Sequence, residues 1–200
     1  MTRYKLRIPA PGGRIETVVN DPGPARKGLA LVAHPHPLHG GTLDNKVVQT
    51  VADTLLGLDY VAVRPNFRGV GQSEGDYDHG RGEVEDMLAI AEFVSARYPS
   101  LPWVLAGFSF GAYVQSRVRQ RLPARALVLV GPAVNLFDFG QVPPDTLVIH
   151  GEHDELVPLS ALRAWAQPQG IEVAVVPGAG HFFHGKLGDL KRTMERLCRC

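Results

Sequence analysis

The chain has 200 residues, 44% hydrophobic and 20% charged, a balance that excludes a disordered polymer and suits one globular domain. Twenty-one basic against twenty acidic side chains leave a net charge of +1, too little to hold nucleic acid by bulk charge. The two cysteines, Cys198 and Cys200, stand too close together at the end to staple a fold, and a frayed terminus is the plain reading. Met1–Arg7 has charges but no apolar segment behind them, and no apolar run approaches the roughly 18 residues of a membrane span. A cytoplasmic protein with no membrane contact is expected.

Tyr4–Ile8 and Arg14–Val19 alternate apolar with polar residues around a Pro/Gly turn, which predicts an antiparallel pair of strands. Leu29–Ala33, Tyr60–Val63, Trp103–Ala106, Ala126–Val130, Leu147–Ile149 and Ile171–Val176 are apolar without alternation. Such runs suit strands covered on both faces. Helical spacing marks Asp44–Leu56 with Asp44 as N-cap, Glu83–Arg97 with an acidic first turn, Ser109–Arg121, Ser160–Ala166 and Lys186–Cys198. Strands and helices in this order predict an α/β doubly wound sheet, mostly parallel, with an antiparallel start. The loop Ala133–Asp145 is too short to hold a lid, so a single domain over 1–200 is expected.

Gly107-Phe108-Ser109-Phe110-Gly111 follows a strand and opens a helix, the context in which G-x-S-x-G has a mechanism. The sharp turn lifts the serine Oγ above the sheet edge, and the helix N-terminus aims the Phe110 N–H at a developing oxyanion. A serine hydroxyl needs a base, and the base an orienting carboxylate. Loops after later strands can supply both: His150–Pro158, and Pro177–Gly185 with His181 and His184. The two glycines before His181 permit a bend back over the sheet edge, whereas His184 stands beside the last helix and suits a cap. Asp138 and Asp145 are rivals to Asp154 for the acid.

These segments together resemble the α/β-hydrolase superfamily over nearly the whole chain. Gly151–Pro158 is similar to its acid loop and Gly178–His181 to its histidine loop, which implies a Ser109, Asp154, His181 triad. His34–Val48 and Arg64–Gly75 resemble a subgroup of small bacterial hydrolases without a lid, described only as hydrolases or carboxylesterases, so the resemblance implies chemistry more than substrate. The plan also resembles the dienelactone hydrolases, which use cysteine where this chain has Ser109. The resemblance implies that the loop after the third strand gives a second oxyanion donor. Proline cannot donate, so His36 is the first choice, with Leu38 and His39 behind it.

The implied activity is cleavage of small carboxylic esters, thioesters included, through an acyl-enzyme and without a cofactor or metal. Leu38, Phe137, Phe139 and Phe182 are the candidate apolar pocket, together with Phe110 and Phe183. Two rival readings exist. One is a binding protein that keeps the fold without the chemistry. The other is a zinc hydrolase built on His34, His36 and His39, whose spacing matches a binuclear zinc signature apart from Leu38 at the acid position. Gly69–Glu74 begins like a dinucleotide fingerprint but has Glu74 at the third glycine, so a structural turn is expected there, with Arg68 bonding backbone carbonyls.

Overall fold

A computed structural model describes residues 1–198; the reading of the terminal cysteine pair falls on Cys200, outside the described residues. The elements are β1 (Thr2–Ala10), β2 (Gly13–Asp21), β3 (Gly28–Ala33), α1 (Lys46–Gly57), β4 (Tyr60–Pro65), α2 (Arg81–Arg97) and β5 (Trp103–Phe108). They continue with α3 (Phe110–Arg119), β6 (Ala126–Val130), β7 (Leu147–Gly151), α4 (Leu159–Ala166), β8 (Val173–Val176) and α5 (Leu187–Leu197). The strands form an eight-stranded sheet in the order β1-β2-β4-β3-β5-β6-β7-β8. β1 and β2 pair antiparallel, β2 joins β4 antiparallel, and every pair from β4 to β8 is parallel. This is the doubly wound sheet with an antiparallel start that the apolar runs predict.

Successive residues of a strand face opposite sides, and the core divides accordingly. Leu29, Leu31 and Ala33 of β3 face the layer holding Met87, Ile90 and Val94 of α2, Val114 and Val118 of α3, and Leu162 of α4. Ala30 and Val32 face the layer of Val48, Val51 and Leu55 of α1 with Leu190 and Met194 of α5. Each fully buried aliphatic side chain stabilises the fold by roughly 1.5–3 kcal/mol, and both faces contribute.

The chain leaves β3 for β4 on one side, then returns to place β5 on the other. Order therefore reverses between β3 and β5, and the loops beyond their carboxyl ends diverge to open a crevice. Those loops hold His34–Asn45 and Ser109.

Several boundaries differ from expectation by a residue or two, and at three of them hydrogen bonds give the reason. The cap of α1 is Asn45, whose Oδ1 accepts from Val47 N–H at 2.9 Å and Val48 N–H at 3.3 Å, while Asp44 instead accepts from Gln49. α2 starts two residues early because Glu83, fully buried, accepts from the N–H groups of Asp78 and Gly80 just before it. β8 starts two residues late because the Ile171 N–H is taken by the Ala166 carbonyl at the end of α4.

Candidate active site

All eight histidines of the chain lie at the carboxyl edge of the sheet: His34, His36, His39, His79, His150, His153, His181 and His184. The site is built where that edge meets the turn after β5. Ser109 sits between β5 and α3 with φ 55° and ψ −114°, a region costly for any residue with a side chain, on the order of 1–3 kcal/mol. Its N–H is held by the Val130 carbonyl at 2.9 Å, which fixes the turn to β6. The flanking glycines are steric necessities. A Cβ on Gly107 would enter the Gly111 carbonyl, and a Cβ on Gly111 would enter the carbonyls of Ala33 and His34. Gly111→Ala is therefore expected to destabilise the protein by about 1–3 kcal/mol, measured as a lower urea midpoint. An unchanged midpoint would contradict this close packing.

A line of hydrogen bonds runs inward from the Ser109 hydroxyl. Oγ donates to His181 Nε2 at 3.1 Å, and His181 Nδ1–H donates to Asp154 Oδ2 at 2.7 Å. Asp154 Oδ1 accepts from Leu156 N–H at 3.0 Å and Val157 N–H at 2.8 Å. The loops carrying the two partners grip each other: Gly178 N–H donates to Glu152, His153 N–H to the Ala179 carbonyl, and His181 N–H to Glu155. The ring of Phe108 lies 5.0 Å from that of His181, and the edge of Phe182 meets it at 5.1 Å. Gly131 supplies room, since a Cβ there would lie 3.4 Å from His181 Cε1. Burial opposes ionisation of Asp154. The bond and charge of His181, with the Val157 N–H, outweigh it and hold the carboxyl below the ordinary aspartate value of 3.8.

Asp138 and Asp145 are exposed and take no part: Asp138 faces Arg117, and Asp145 precedes β7 at the opposite edge. His184 is exposed, its ring stacked on Phe182 at 5.9 Å.

The loop after β3 does not gather His34, His36 and His39 around a common point. Among the described residues no group of His, Cys, Asp or Glu has the arrangement to hold a metal ion. His34 is fully buried, its Nε2 accepting the Phe67 N–H at 2.9 Å and its Nδ1–H donating to the Pro35 carbonyl at 2.7 Å. His36 Nδ1 accepts the Leu38 N–H, so its Nε2–H donates to Tyr77 Oη at 3.1 Å. Ring nitrogens occupied in this way hold the loop's shape, and they leave the zinc arrangement unbuilt. The backbone N–H of His36 makes no hydrogen bond among the described residues, and that of Phe110, in the first turn of α3, has no partner within its helix.

Burial pushes the His34 ring down to about 4 from 6.5, even though the Pro35 carbonyl favours the proton. The unfolded chain takes up this proton below pH 6.5 while the fold refuses it. The stability present above pH 6.5 is accordingly lost as pH falls toward 4, on the order of 3 kcal/mol. NMR titration should find the His34 ring neutral at pH 5.5. A midpoint near 6.5 for that ring would overturn the assignment.

Of the candidate pocket residues, Leu38 is 68% and Phe182 40% exposed at the rim, and Phe137 is half-buried, stacked on Tyr113 at 5.0 Å. Phe139 corrects the expectation. It is buried in the core between Tyr113 and Trp165, because the chain turns inward there to cover α3 and α4. Phe110 and Phe183 are likewise core residues. Arg68 pairs with Asp86 at 2.8 Å and donates to the Gly82 carbonyl, and Ser73 bonds Asn66 and Glu16, so both serve the turn before α2. Tyr77, Glu155 and His150 at this edge were not distinguished by sequence. Their contacts mark them: Tyr77 with His36, Glu155 with the His181 N–H, and His150 with Asp154.

Residues 36–143 match the family model described as serine aminopeptidase, S33. The fold superposes with a TM-score of 0.95 on an α/β serine hydrolase without lid from Xanthomonas campestris, 38% identical over 100% of this chain and 94% of that one. An α-β serine hydrolase homologue from Coxiella burnetii gives 0.92 at 39% identity, covering 98% and 97%. A monoacylglycerol lipase of Mycolicibacterium smegmatis is 31% identical over 93% of this chain and 68% of its own. With the elbow at Ser109, the doubly wound sheet and these relatives in agreement, the chain belongs to the α/β-hydrolase superfamily, among its small lidless serine hydrolases.

Proposed function

We propose that this hydrolase cleaves small carboxylic esters through an acyl-enzyme on Ser109. The observation that carries the reading is the unbroken line from Ser109 Oγ through His181 to Asp154, set at the N-terminus of α3. Oγ attacks the carbonyl carbon as its proton passes to His181 Nε2. The tetrahedral oxyanion is held by the N–H groups of Phe110 and His36. As the carbonyl re-forms, the bond to the leaving alcohol breaks and His181 returns the proton to it. Water repeats the sequence and frees the acid. Asp154 keeps the proton of His181 on Nδ1, so Nε2 is free to accept. Thioesters suit the same chemistry, their thiolate leaving in place of the alkoxide.

Leu38, Leu136, Leu156 and Phe182 are exposed in loops that follow the carboxyl ends of the strands, which supports a site with little wall for a long acyl chain. A buried methylene would contribute about 0.8 kcal/mol, whereas one left in water contributes nothing. A monoacylglycerol lipase among the relatives supports ester over amide cleavage.

The test is a series of p-nitrophenyl esters from acetate to palmitate, alongside alanine p-nitroanilide and fluorophosphonate labelling. Labelling at Ser109, with kcat/KM that stops rising beyond butyrate, is expected, and a chelator should leave the rate unchanged. Faster cleavage of the anilide, or of palmitate over butyrate, would reject the substrate class. Absence of label would favour a binding protein on this fold.

A further inference from the structure

A second histidine approaches Asp154 from the side away from Ser109. His150 stands near the end of β7, four residues before the acid, and is fully buried. Its Nε2 lies 2.8 Å from the Val157 carbonyl and 3.5 Å from Asp154 Oδ2, the same oxygen that accepts the His181 proton. Two oxygens facing Nε2 require a hydrogen there, because a bare nitrogen would set lone pair against lone pair. Burial favours the neutral ring over the charged one, and in a neutral ring that hydrogen is the only one carried. Nδ1 is then a bare acceptor, and it is buried without a hydrogen-bond partner among the described residues.

Packing does not account for this choice. A phenylalanine would remove the orphaned nitrogen, itself a cost to folding, but would leave the Val157 carbonyl without its donor. The Val157 carbonyl that His150 holds belongs to the residue whose N–H holds Asp154 Oδ1. His150 thus fixes the peptide that carries one donor to the carboxylate, and sets the positive edge of its ring 3.5 Å from the other oxygen.

We propose that His150 is a positioning residue for the Asp154–His181 pair, whose Nε2–H, bonded to the Val157 carbonyl and close to Asp154 Oδ2, keeps the carboxylate ionised and square to the imidazole. The inference rests on the reading of Asp154 and His181 as acid and base. The ionisable groups acting on His150 are Asp154 and His181, those acting on Asp154 are His181 and His150, and Glu155 touches the pair through the His181 N–H. Removal of the donor has two effects with one sign. The carboxylate becomes easier to protonate, and its less neutralised charge holds the imidazolium proton harder. Both move the acidic limb of the kcat/KM profile to higher pH.

The experiment compares His150→Phe and His150→Gln with the wild type on p-nitrophenyl butyrate, with rates expressed per site labelled by fluorophosphonate. His150→Phe should lose roughly tenfold in kcat/KM per labelled site, with the acidic limb displaced upward by about half a pH unit. His150→Gln, whose amide can present an N–H near the same place, should recover most of both. A merely structural role would reduce the number of labelled sites and leave the limb where it is, and that result overturns the proposal. Should neither variant fold, nitrogen NMR of the wild type decides. A neutral ring protonated at Nε2 supports the proposal, and a ring protonated at Nδ1 overturns it. Failure of the underlying triad reading looks different, for then the wild type itself takes no label at Ser109.

Discussion

Replacing Ser109 with alanine is expected to lower kcat on p-nitrophenyl butyrate by on the order of 10⁶, with the fold intact. The described bond of the hydroxyl is the one to His181 Nε2, and the residue is only partly buried, so its loss opens no core cavity. Alanine meets the same unfavourable backbone at φ 55° that serine already tolerates, held by the Val130 carbonyl and the glycines on either side. What remains is the catalysis that oxyanion donors and binding alone provide, some 10³–10⁴-fold over water. Initial rates with matched circular-dichroism melts measure both halves of the expectation. Turnover within tenfold of the wild type would remove Ser109 from the mechanism.

Asp154→Asn should cost about 10⁴ in kcat, for a reason that lies in the tautomer. The N–H groups of Leu156 and Val157 claim the amide oxygen, since both point at Oδ1. That leaves the NH₂ group facing His181 Nδ1, which must give up its hydrogen to accept. The ring proton then moves to Nε2 and confronts the Ser109 hydroxyl it should deprotonate. The same NH₂ also faces the Nε2–H of His150, donor against donor, so a loss of about 1–3 kcal/mol in stability accompanies the loss of rate. Asp138→Asn and Asp145→Asn serve as controls, both exposed and distant from the line of bonds. A larger loss from either would reassign the acid.

The sheet was legible because its signal is local. Leu29–Ala33 and Trp103–Ala106 are apolar on both faces, and only a strand under helices on each side uses such a run. Ser109 was legible because two glycines around it answer to immediate backbone collisions. What escaped depends on contacts between loops. Asp44 and Asn45 are both good caps by chemistry, and the choice falls to Asn45 through the path by which the chain enters α1. Phe139 is an apolar residue in a loop, and nothing local says that the loop dips toward Trp165. His150 reads as the first residue of a loop until that loop folds back and sets Asp154 and Val157 beside its ring.

Gly111 presses its bare Cα face onto the carbonyls of Ala33 and His34, which welds the serine turn to the root of the His–Pro loop. Chemistry and scaffold are therefore a single mechanical part, and a sequence that drifts there loses both together. The rim is a different matter. Leu38, Leu136, Leu156 and Phe182 spend half or so of their surface in water, and replacing them removes little that the fold depends on. On the proposed ester chemistry, substitutions at those four positions are expected to alter substrate preference one loop at a time while the reacting atoms stay in register, a library for directed evolution.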